Sequence, residues 1–226
     1  MLVHVQGLLS LAEVEAMRQR LAASDWVDGR VTAGVQSARA KHNLQLPEDA
    51  PEARALGEII LTALGRNETF VSAALPLRVF PPLFNRYDEG MGFGAHVDNA
   101  IRFAPGGVRV RTDFSCTLFL TPAADYDGGE LVIEDVFGEQ SVKFDAGDMV
   151  LYPASSLHRV NPITRGSRWA SFFWGQSMVK DDGQRALLHR MDTAIGQARA
   201  ALSDDHAAVL ALTSGYHNLL RMWAEV

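Results

Sequence analysis

The chain has 226 residues, of which 47% are hydrophobic and 21% charged, and its formal net charge is -6. This composition is ordinary for a globular protein with one substantial core, and the acidic balance argues against a general nucleic-acid binder, which needs concentrated lysine and arginine. A single cysteine, Cys116, excludes an intrachain disulfide framework and a zinc site of four cysteines. The N-terminus resembles no signal peptide and no apolar stretch approaches the roughly 20 residues of a membrane span. We therefore expect a cytoplasmic protein without a membrane or nucleic-acid partner.

Residues 1–76 are predicted to be helices and strands that pack on a central core. Ser10 followed by Glu13 is a capping box, and helical spacing of apolar residues follows it: Leu11, Val14, Met17 and Leu21. A second helix is predicted from Pro51, which suits a first helical turn, to about Leu64, with its end at Gly65.

Residues 77–178 have the texture of a β core. Short β-branched or aromatic runs alternate with turn residues: LRVFPPLFNRY, DFSCTLFLTP, GELVIED, SVKFDAGDMVLYP, LHRVNPI and RWASFFWGQ. Without intervening helices, such runs indicate a sandwich or barrel and not a parallel α/β sheet. Gly128-Gly129 and Gly147 are predicted turn positions, the latter with a positive φ.

Residues 179–226 are predicted to form a helical hairpin. Two apolar stripes have a spacing of three to four residues: Leu188, Met191, Ile195, Ala198 and Leu202, then Val209, Leu212, Tyr216, Leu219 and Trp223. Ser203 is the expected N-cap of the second helix. We expect the pair to pack on the core or to form a homodimer interface.

A metal site is the main functional hypothesis. His96 and Asp98 are two residues apart, so on a strand their side chains share one face. His158 lies about sixty residues downstream, after the run that ends at Tyr152 and Pro153. Two histidines and one carboxylate form the facial triad typical of non-haem Fe(II), although zinc accepts the same ligands.

Arg168, in RGSRWASFFW, favours one kind of iron site. A guanidinium binds a carboxylate bidentately, and beside an open iron site it would hold the distal carboxylate of 2-oxoglutarate. The neighbouring Arg165 is expected at the surface.

The segments FNRYDEGMGFGAHVDNAIR, DYDGGELVIED and AGDMVLYPASSLHRVNPITRGSRWASFFWGQS resemble the Fe(II)/2-oxoglutarate dioxygenases of the prolyl-hydroxylase-like superfamily. More closely the chain resembles the bacterial PKHD-type, PiuC-like hydroxylases, a group linked to iron uptake, over nearly its whole length. The resemblance implies a double-stranded β-helix (jelly-roll, cupin-like) core that is mainly β with flanking helices. It implies iron ligands at His96, Asp98 and His158, and a 2-oxoglutarate ligand at Arg168.

The implied activity is hydroxylation of an unidentified substrate, either a protein residue or a small molecule, with Fe(II), 2-oxoglutarate and, as reductant, L-ascorbate. Two alternatives remain open at this stage: a non-enzymatic iron or 2-oxoglutarate sensor, and a cupin-type metalloenzyme that uses no 2-oxoglutarate. Dependence of turnover on 2-oxoglutarate separates both from the main hypothesis.

Further side chains receive weaker assignments. Relatives often have a tyrosine at the place of Tyr87 that hydrogen-bonds the cosubstrate, and a packed core tyrosine is the alternative. Two further groups of polar residues are expected near the substrate, without an assigned role. A polar segment contributes Lys41, Asn43 and Gln45, and a loop contributes Asn99, Arg109 and Arg111.

Overall fold

The structure is a computed structural model that describes residues 1–32 and 40–226. Five α-helices lie in these ranges: α1 (Leu11–Ala22), α2 (Pro51–Arg66), α3 (Glu68–Ala74), α4 (Asp182–Ala201) and α5 (Ala207–Trp223). The strands of the N-terminal part are β1 (Val3–Val5), β2 (Val27–Asp28), β3 (Lys41–His42), β4 (Leu44–Gln45), β5 (Pro76–Val79) and β6 (Leu83–Tyr87).

The strands of the remaining described chain follow at short intervals. They are β7 (Gly92–His96), β8 (Ile101–Phe103), β9 (Arg109–Arg111), β10 (Phe114–Phe119), β11 (Asp127–Gly128), β12 (Leu131–Asp135), β13 (Gly138–Val142), β14 (Met149–Pro153), β15 (His158–Val160), β16 (Ile163–Arg165) and β17 (Arg168–Ser177).

Local sequence signals explain how the N-terminal helices begin. The predicted capping box is confirmed at α1, where Ser10 and Glu13 bond reciprocally. Pro51 opens α2 as predicted, but the helix continues past Gly65 to Arg66. The next residue, Asn67, caps α3 through its side chain, which accepts from the Phe70 amide 2.9 Å away. This short helix was not predicted from the sequence.

Two facing antiparallel sheets form the β core. The larger has the strand order β1-β14-β10-β17-β6-β4-β2, with β5 also paired to β17, and the smaller has the order β13-β12-β15-β7-β3. Two-stranded ribbons, β11-β16 and β8-β9, complete the set among the described residues. Strands separated in sequence are thus neighbours, as in a jelly roll, and the predicted fold class is confirmed.

Strand alternation divides the larger sheet into an apolar and a polar face. On β10, Phe114, Cys116 and Leu118 belong to a hydrophobic cluster that also contains residues of α1, α2 and α3. Ser115 and Thr117 point the other way, toward the smaller sheet, and are nevertheless buried. Polar side chains therefore line the space between the sheets, where apolar packing would be expected in an ordinary sandwich.

The C-terminal hairpin packs against the sheet edge and α3. Leu75, Val179 and Leu188 are buried there, with aromatic and leucine side chains of α5 against them. The predicted cap at Ser203 is wrong: α5 begins at Ala207, and the His206 ring accepts from the Ala208 amide. Ser203 instead bonds Asp205 in the turn.

Each of the two predicted apolar stripes of the C-terminal hairpin is only partly buried. Leu202 is 52% exposed and Leu212 is 43% exposed. The division of the chain at residues 76 and 178 stays a prediction. β1 and β4, which precede residue 76, pair with β14 and β6 of the same sheet.

Candidate metal centre and its cavity

The side chains of His96, Asp98 and His158 converge at one point between the two sheets. One ligand atom of each lies within 4.8 Å of the other two, and His158 Nε2 is 3.8 Å from Asp98 Oδ2. The register of β7 against β15 places His96 directly opposite His158, and their ring centroids are 4.2 Å apart. The structure thus brings together all three predicted ligands.

Hydrogen bonds orient each member of this triad. The Nδ1 atoms of His96 and His158 lie 2.9 and 3.0 Å from the backbone carbonyl oxygens of Gly94 and Ser156. Such a bond fixes the tautomer with Nδ1 protonated and leaves Nε2 as the ligand atom. Ser115 Oγ donates to Asp98 Oδ2 over 2.7 Å, which holds the carboxylate in place.

Burial prepares His96 for metal binding. Burial, and to a lesser extent the nearby His158, lower the pKa of His96 to about 4. The imidazole is therefore neutral at pH 7, which is the form that binds a metal. The Phe93 ring stacks on the His96 ring at 3.6 Å and limits its rotation.

Close packing explains two glycines of the sequence GFGAH. A Cβ on Gly92 would lie 3.0 Å from the Val160 carbonyl oxygen, and one on Gly94 would lie 3.0 Å from the Ala40 side chain. Both residues belong to β7, and neighbouring atoms leave no room for a side chain at either position. Asp98 lies two residues beyond the end of β7, so it does not share a strand face with His96 as predicted, yet its carboxylate still reaches the histidines.

A cavity extends from the triad between the sheets. Its volume is about 90 Å³, several times the roughly 15 Å³ that one ordered water needs. Polar and charged side chains contribute to its lining: Lys41, Asn85, Asn99, Arg102, Ser115, Thr117 and Arg168. Leu83, Phe93, Leu131, Phe172 and Trp174 supply apolar walls.

Arg168 also lines this cavity. It is the first residue of β17. The residue is 1% exposed, and its three guanidinium nitrogens donate no hydrogen bond to any residue in the described ranges. It lies over the rings of Tyr87, at 5.5 Å, and Phe119, at 5.2 Å. Arg165 is at the surface as expected, paired with Asp127.

Tyr87 is opposite Arg168 in the register of β6 against β17 and lines the cavity. Burial raises the pKa of Tyr87 to about 12, against the opposing effect of the Arg168 charge. The phenol is therefore protonated and can donate a hydrogen bond into the cavity. Its hydroxyl is 3.5 Å from the amide nitrogen of Asn85.

The weaker sequence assignments separate into two groups. Lys41, Asn43 and Gln45 are all buried, and Lys41 lines the cavity while its Nζ donates to Gln45 over 2.9 Å. Asn99 also lines the cavity. Arg109 and Arg111 lie on β9 and are absent from the lining. Arg111 pairs instead with Asp113 and Glu225.

Arg102 and Ser115 were missed by the sequence analysis. Arg102 lies four residues after Asp98 on β8, where a loop was expected, and its position beside the cavity depends on the β8-β9 ribbon. For Ser115 a signal existed. In FSCTLF the polar residues alternate with apolar ones, which indicates a strand with a polar inner face.

Comparison with known proteins agrees with this geometry. The model of the 2OG-Fe(II) oxygenase superfamily matches residues 82–176, and that of the PKHD-type hydroxylase C-terminal domain matches residues 182–225. A PKHD-type hydroxylase of Gluconobacter oxydans is 66% identical over 227 residues, and one of Methylobacterium nodulans is 65% identical. Both alignments cover 100% of this chain and of the relative.

Solved structures of low sequence identity share the fold. A Trichoplax adhaerens prolyl hydroxylase, in complex with a peptide of hypoxia inducible factor, is 17% identical to this chain and has a TM-score of 0.55. The alignment covers 82% of this chain and 86% of the hydroxylase chain. HygX from Streptomyces hygroscopicus, with nickel and 2-oxoglutarate bound, is 16% identical to this chain and has a TM-score of 0.53. That alignment covers 79% of this chain and 84% of the HygX chain.

Proposed function

The chain belongs to the PKHD-type hydroxylases, and we propose that His96, Asp98 and His158 hold the iron of this Fe(II)- and 2-oxoglutarate-dependent dioxygenase, with Arg168 as the anchor of 2-oxoglutarate. The observation that carries the proposal is the convergence of three ligand atoms within 4.8 Å beside a buried, unpaired arginine. The enzyme hydroxylates a substrate that is unidentified.

The donor set fits Fe(II). Two imidazoles and a carboxylate would hold the metal and leave positions free for other ligands, which is the donor set typical of non-haem Fe(II). The hydrogen bonds from backbone carbonyls and from Ser115 restrict the three side chains before any metal binds. A site oriented in advance loses little conformational freedom when the metal enters.

The buried end of the cavity fits a carboxylate. A guanidinium that is 1% exposed and lacks hydrogen bonds to described residues is unfavourable unless an anion accompanies it. A carboxylate would accept two of its N–H groups side by side. Tyr87, as a protonated phenol on the facing strand, is placed to donate a third hydrogen bond.

When bound, iron and 2-oxoglutarate would supply the oxidising chemistry: one oxygen atom of O₂ enters a substrate C–H as C–OH, and the other enters succinate as 2-oxoglutarate loses CO₂. The chain's own residues would bind and orient the reactants. Arg168 and Tyr87 would hold the distal end of the cosubstrate, and the triad would hold the metal. The walls of Leu131, Phe172 and Trp174 exclude water from the space between.

The test is anaerobic addition of Fe(II) and then 2-oxoglutarate, followed by visible spectroscopy. We expect a weak metal-to-ligand charge-transfer band that requires both additions and fades when oxygen enters. Arg168→Gln should need at least about tenfold more 2-oxoglutarate, as expected for the loss of a charge-assisted hydrogen bond. Arg165→Gln, at the surface, is the matched control. A full-strength band in Asp98→Ala would refute the assignment of the triad.

The remaining parts of the proposal concern the cellular setting. Among the described residues no helix combines the length and the apolar character that crossing a membrane requires. We propose a cytoplasmic location because of the composition of the chain. We propose L-ascorbate as the reductant and iron uptake as the biological context because the chain resembles the PiuC-like group. A turnover assay with and without ascorbate tests the first of these two assignments.

A further inference from the structure

A tyrosine hydroxyl beside Arg168 is buried without a hydrogen-bond partner. Tyr126 immediately precedes β11 and is 0% exposed, and its hydroxyl forms no hydrogen bond with any residue in the described ranges. Leaving a buried hydroxyl unpaired is unfavourable, and most buried polar atoms of folded proteins are paired. An unpaired hydroxyl next to the proposed anchor of the cosubstrate therefore indicates a role in binding.

The β11-β16 ribbon brings Tyr126 and Arg168 together. Asp127 of β11 is opposite Arg165 of β16, so the residues that flank this pair are close in space. A Cβ on Gly129 would lie 3.0 Å from Tyr126 Cε2 and 3.1 Å from Arg168 Cδ. One point is thus within contact distance of both side chains, and only a glycine leaves room for them to meet there.

Contacts fix the backbone and the ring of Tyr126. Lys143 Nζ donates to the Tyr126 carbonyl oxygen over 2.7 Å and lies 4.2 Å from the centroid of the ring. The ring packs in the same hydrophobic cluster as Tyr87 and Phe119, whose rings also face the Arg168 guanidinium. The position of the hydroxyl oxygen is therefore fixed, and only its hydrogen can rotate.

The phenol of Tyr126 is protonated and senses the guanidinium. Burial raises the pKa of Tyr126, and the positive charge of Arg168 acts in the opposite direction. A protonated hydroxyl can accept hydrogen bonds as well as donate one. Tyr126 thus offers an acceptor oxygen close to a cation that has only donors.

Arg168 has more N–H groups than one carboxylate can accept. A guanidinium carries five N–H donors, and a carboxylate bound side by side takes two of them. The faces of Tyr87 and Phe119 attract the charge but do not replace an oxygen acceptor. The N–H groups that point away from the carboxylate need an acceptor, and the Tyr126 hydroxyl oxygen is unused.

We propose that Tyr126 is a positioning residue for 2-oxoglutarate, whose hydroxyl oxygen accepts an N–H of Arg168 while the guanidinium holds the distal carboxylate. The inference rests on the proposed function, since it assumes that Arg168 anchors the cosubstrate. Tyr126 is not part of the cavity lining, so it acts through Arg168. The hydrogen bond keeps the guanidinium plane in the orientation that two parallel bonds to a carboxylate require.

Two 2-oxo acids isolate the contribution of the distal carboxylate. 2-Oxoglutarate and 2-oxovalerate share the same chelating end, and 2-oxovalerate has a methyl group in place of the distal carboxylate. Anaerobic titration of the Fe(II)-loaded protein with each acid, followed by the charge-transfer band, gives both affinities. We expect Tyr126→Phe to weaken the binding of 2-oxoglutarate about fivefold to tenfold and to leave that of 2-oxovalerate within about twofold.

A melting experiment on the metal-free protein separates this role from a structural one. Phenylalanine keeps the ring and removes a hydroxyl without a partner, so Tyr126→Phe should melt at the same temperature or higher. A tyrosine that stabilises the fold through its hydroxyl would give a lower melting temperature. Tyr216→Phe is the matched control, because it makes the same change on α5, outside the cavity lining. Both of its affinities should equal those of the unchanged protein.

A double variant tests whether Tyr126 acts through Arg168. In the Arg168→Gln background, Tyr126→Phe should cause no further loss of affinity for 2-oxoglutarate, because the guanidinium that it positions is gone. A further loss of the same size as in the unchanged protein would show that the hydroxyl acts independently of Arg168, and it would overturn the inference.

Two other results would also overturn the inference. They are an unchanged preference for 2-oxoglutarate over 2-oxovalerate in Tyr126→Phe, and an equal loss of affinity for both acids together with a lower melting temperature. The proposed function fails on a different result. If Arg168→Gln keeps the full preference for 2-oxoglutarate, Arg168 is not the anchor of the distal carboxylate, whatever the effect of Tyr126→Phe.

Discussion

A buried lysine beside a metal site should reduce the stability of the empty protein at neutral pH. Lys41 is 6% exposed, and burial lowers the pKa of its ammonium group from 10.5 to about 8, with the Arg102 charge contributing in the same direction. The unfolded chain therefore holds the proton more tightly than the folded chain does. By linkage, the free energy of unfolding must rise with pH between about 8 and 10.5.

The size of this effect follows from the shift. One pKa unit corresponds to about 1.4 kcal/mol, so protonated Lys41 reduces the unfolding free energy at pH 7 by about 3 kcal/mol. At pH 9.5 the same linkage relation leaves a reduction of about 1 kcal/mol. Relative to a Lys41→Met variant, the protein should thus gain about 2 kcal/mol between pH 7 and pH 9.5.

Urea unfolding of the metal-free protein and of Lys41→Met, at both pH values, measures this difference. The substitution also changes the packing and removes the hydrogen bond to Gln45. Because these two effects are present at either pH, they cancel when the stability difference at pH 7 is compared with that at pH 9.5. Lys180→Met, at an exposed position, serves as the control and should show no relative gain.

A stability difference between protein and variant that does not change with pH would refute the reasoning. It would mean that the Lys41 ammonium is as well solvated in the folded protein as in the unfolded chain. A difference that changes in the opposite direction would mean that the folded cavity stabilises the charged form.

Further predictions concern the metal ligands, the backbone and the C-terminal hairpin. Ser115→Ala should weaken Fe(II) binding about 10- to 100-fold in an anaerobic titration by releasing Asp98; unchanged affinity would show that the carboxylate needs no support. Gly147→Ala should lower the unfolding free energy by about 1–3 kcal/mol, since φ is 95° and a Cβ would lie 2.3 Å from the Leu9 carbonyl oxygen. Gly65→Ala, in an open helical position, should instead be neutral or stabilising. A homodimer through α4 and α5 is expected, and light scattering that returns the 24.7 kDa monomer mass would exclude it.

Local sequence determined much of this protein. Capping residues, strand alternation and turn glycines depend on contacts between neighbours in the chain, so Ser10, Pro51 and Gly147 could be assigned correctly. The candidate ligands could also be named, because few residue types bind Fe(II) and His96 and Asp98 are close in sequence. Guanidinium chemistry suggested Arg168 as the ligand of 2-oxoglutarate, and the resemblance to a known family implied the same assignment.

Tertiary structure decided what surrounds the candidate metal centre. Lys41 is 55 residues before His96 in the chain and reaches the site because β3 pairs with β7, a register that no local signal encodes. Arg102 depends in the same way on the β8-β9 ribbon and on the ring of Trp174. Pairing between distant strands is fixed by the packing of whole faces. Sequence therefore indicated the candidate metal ligands and the polar segment that contains Lys41, and the fold alone placed Arg102 on the same cavity.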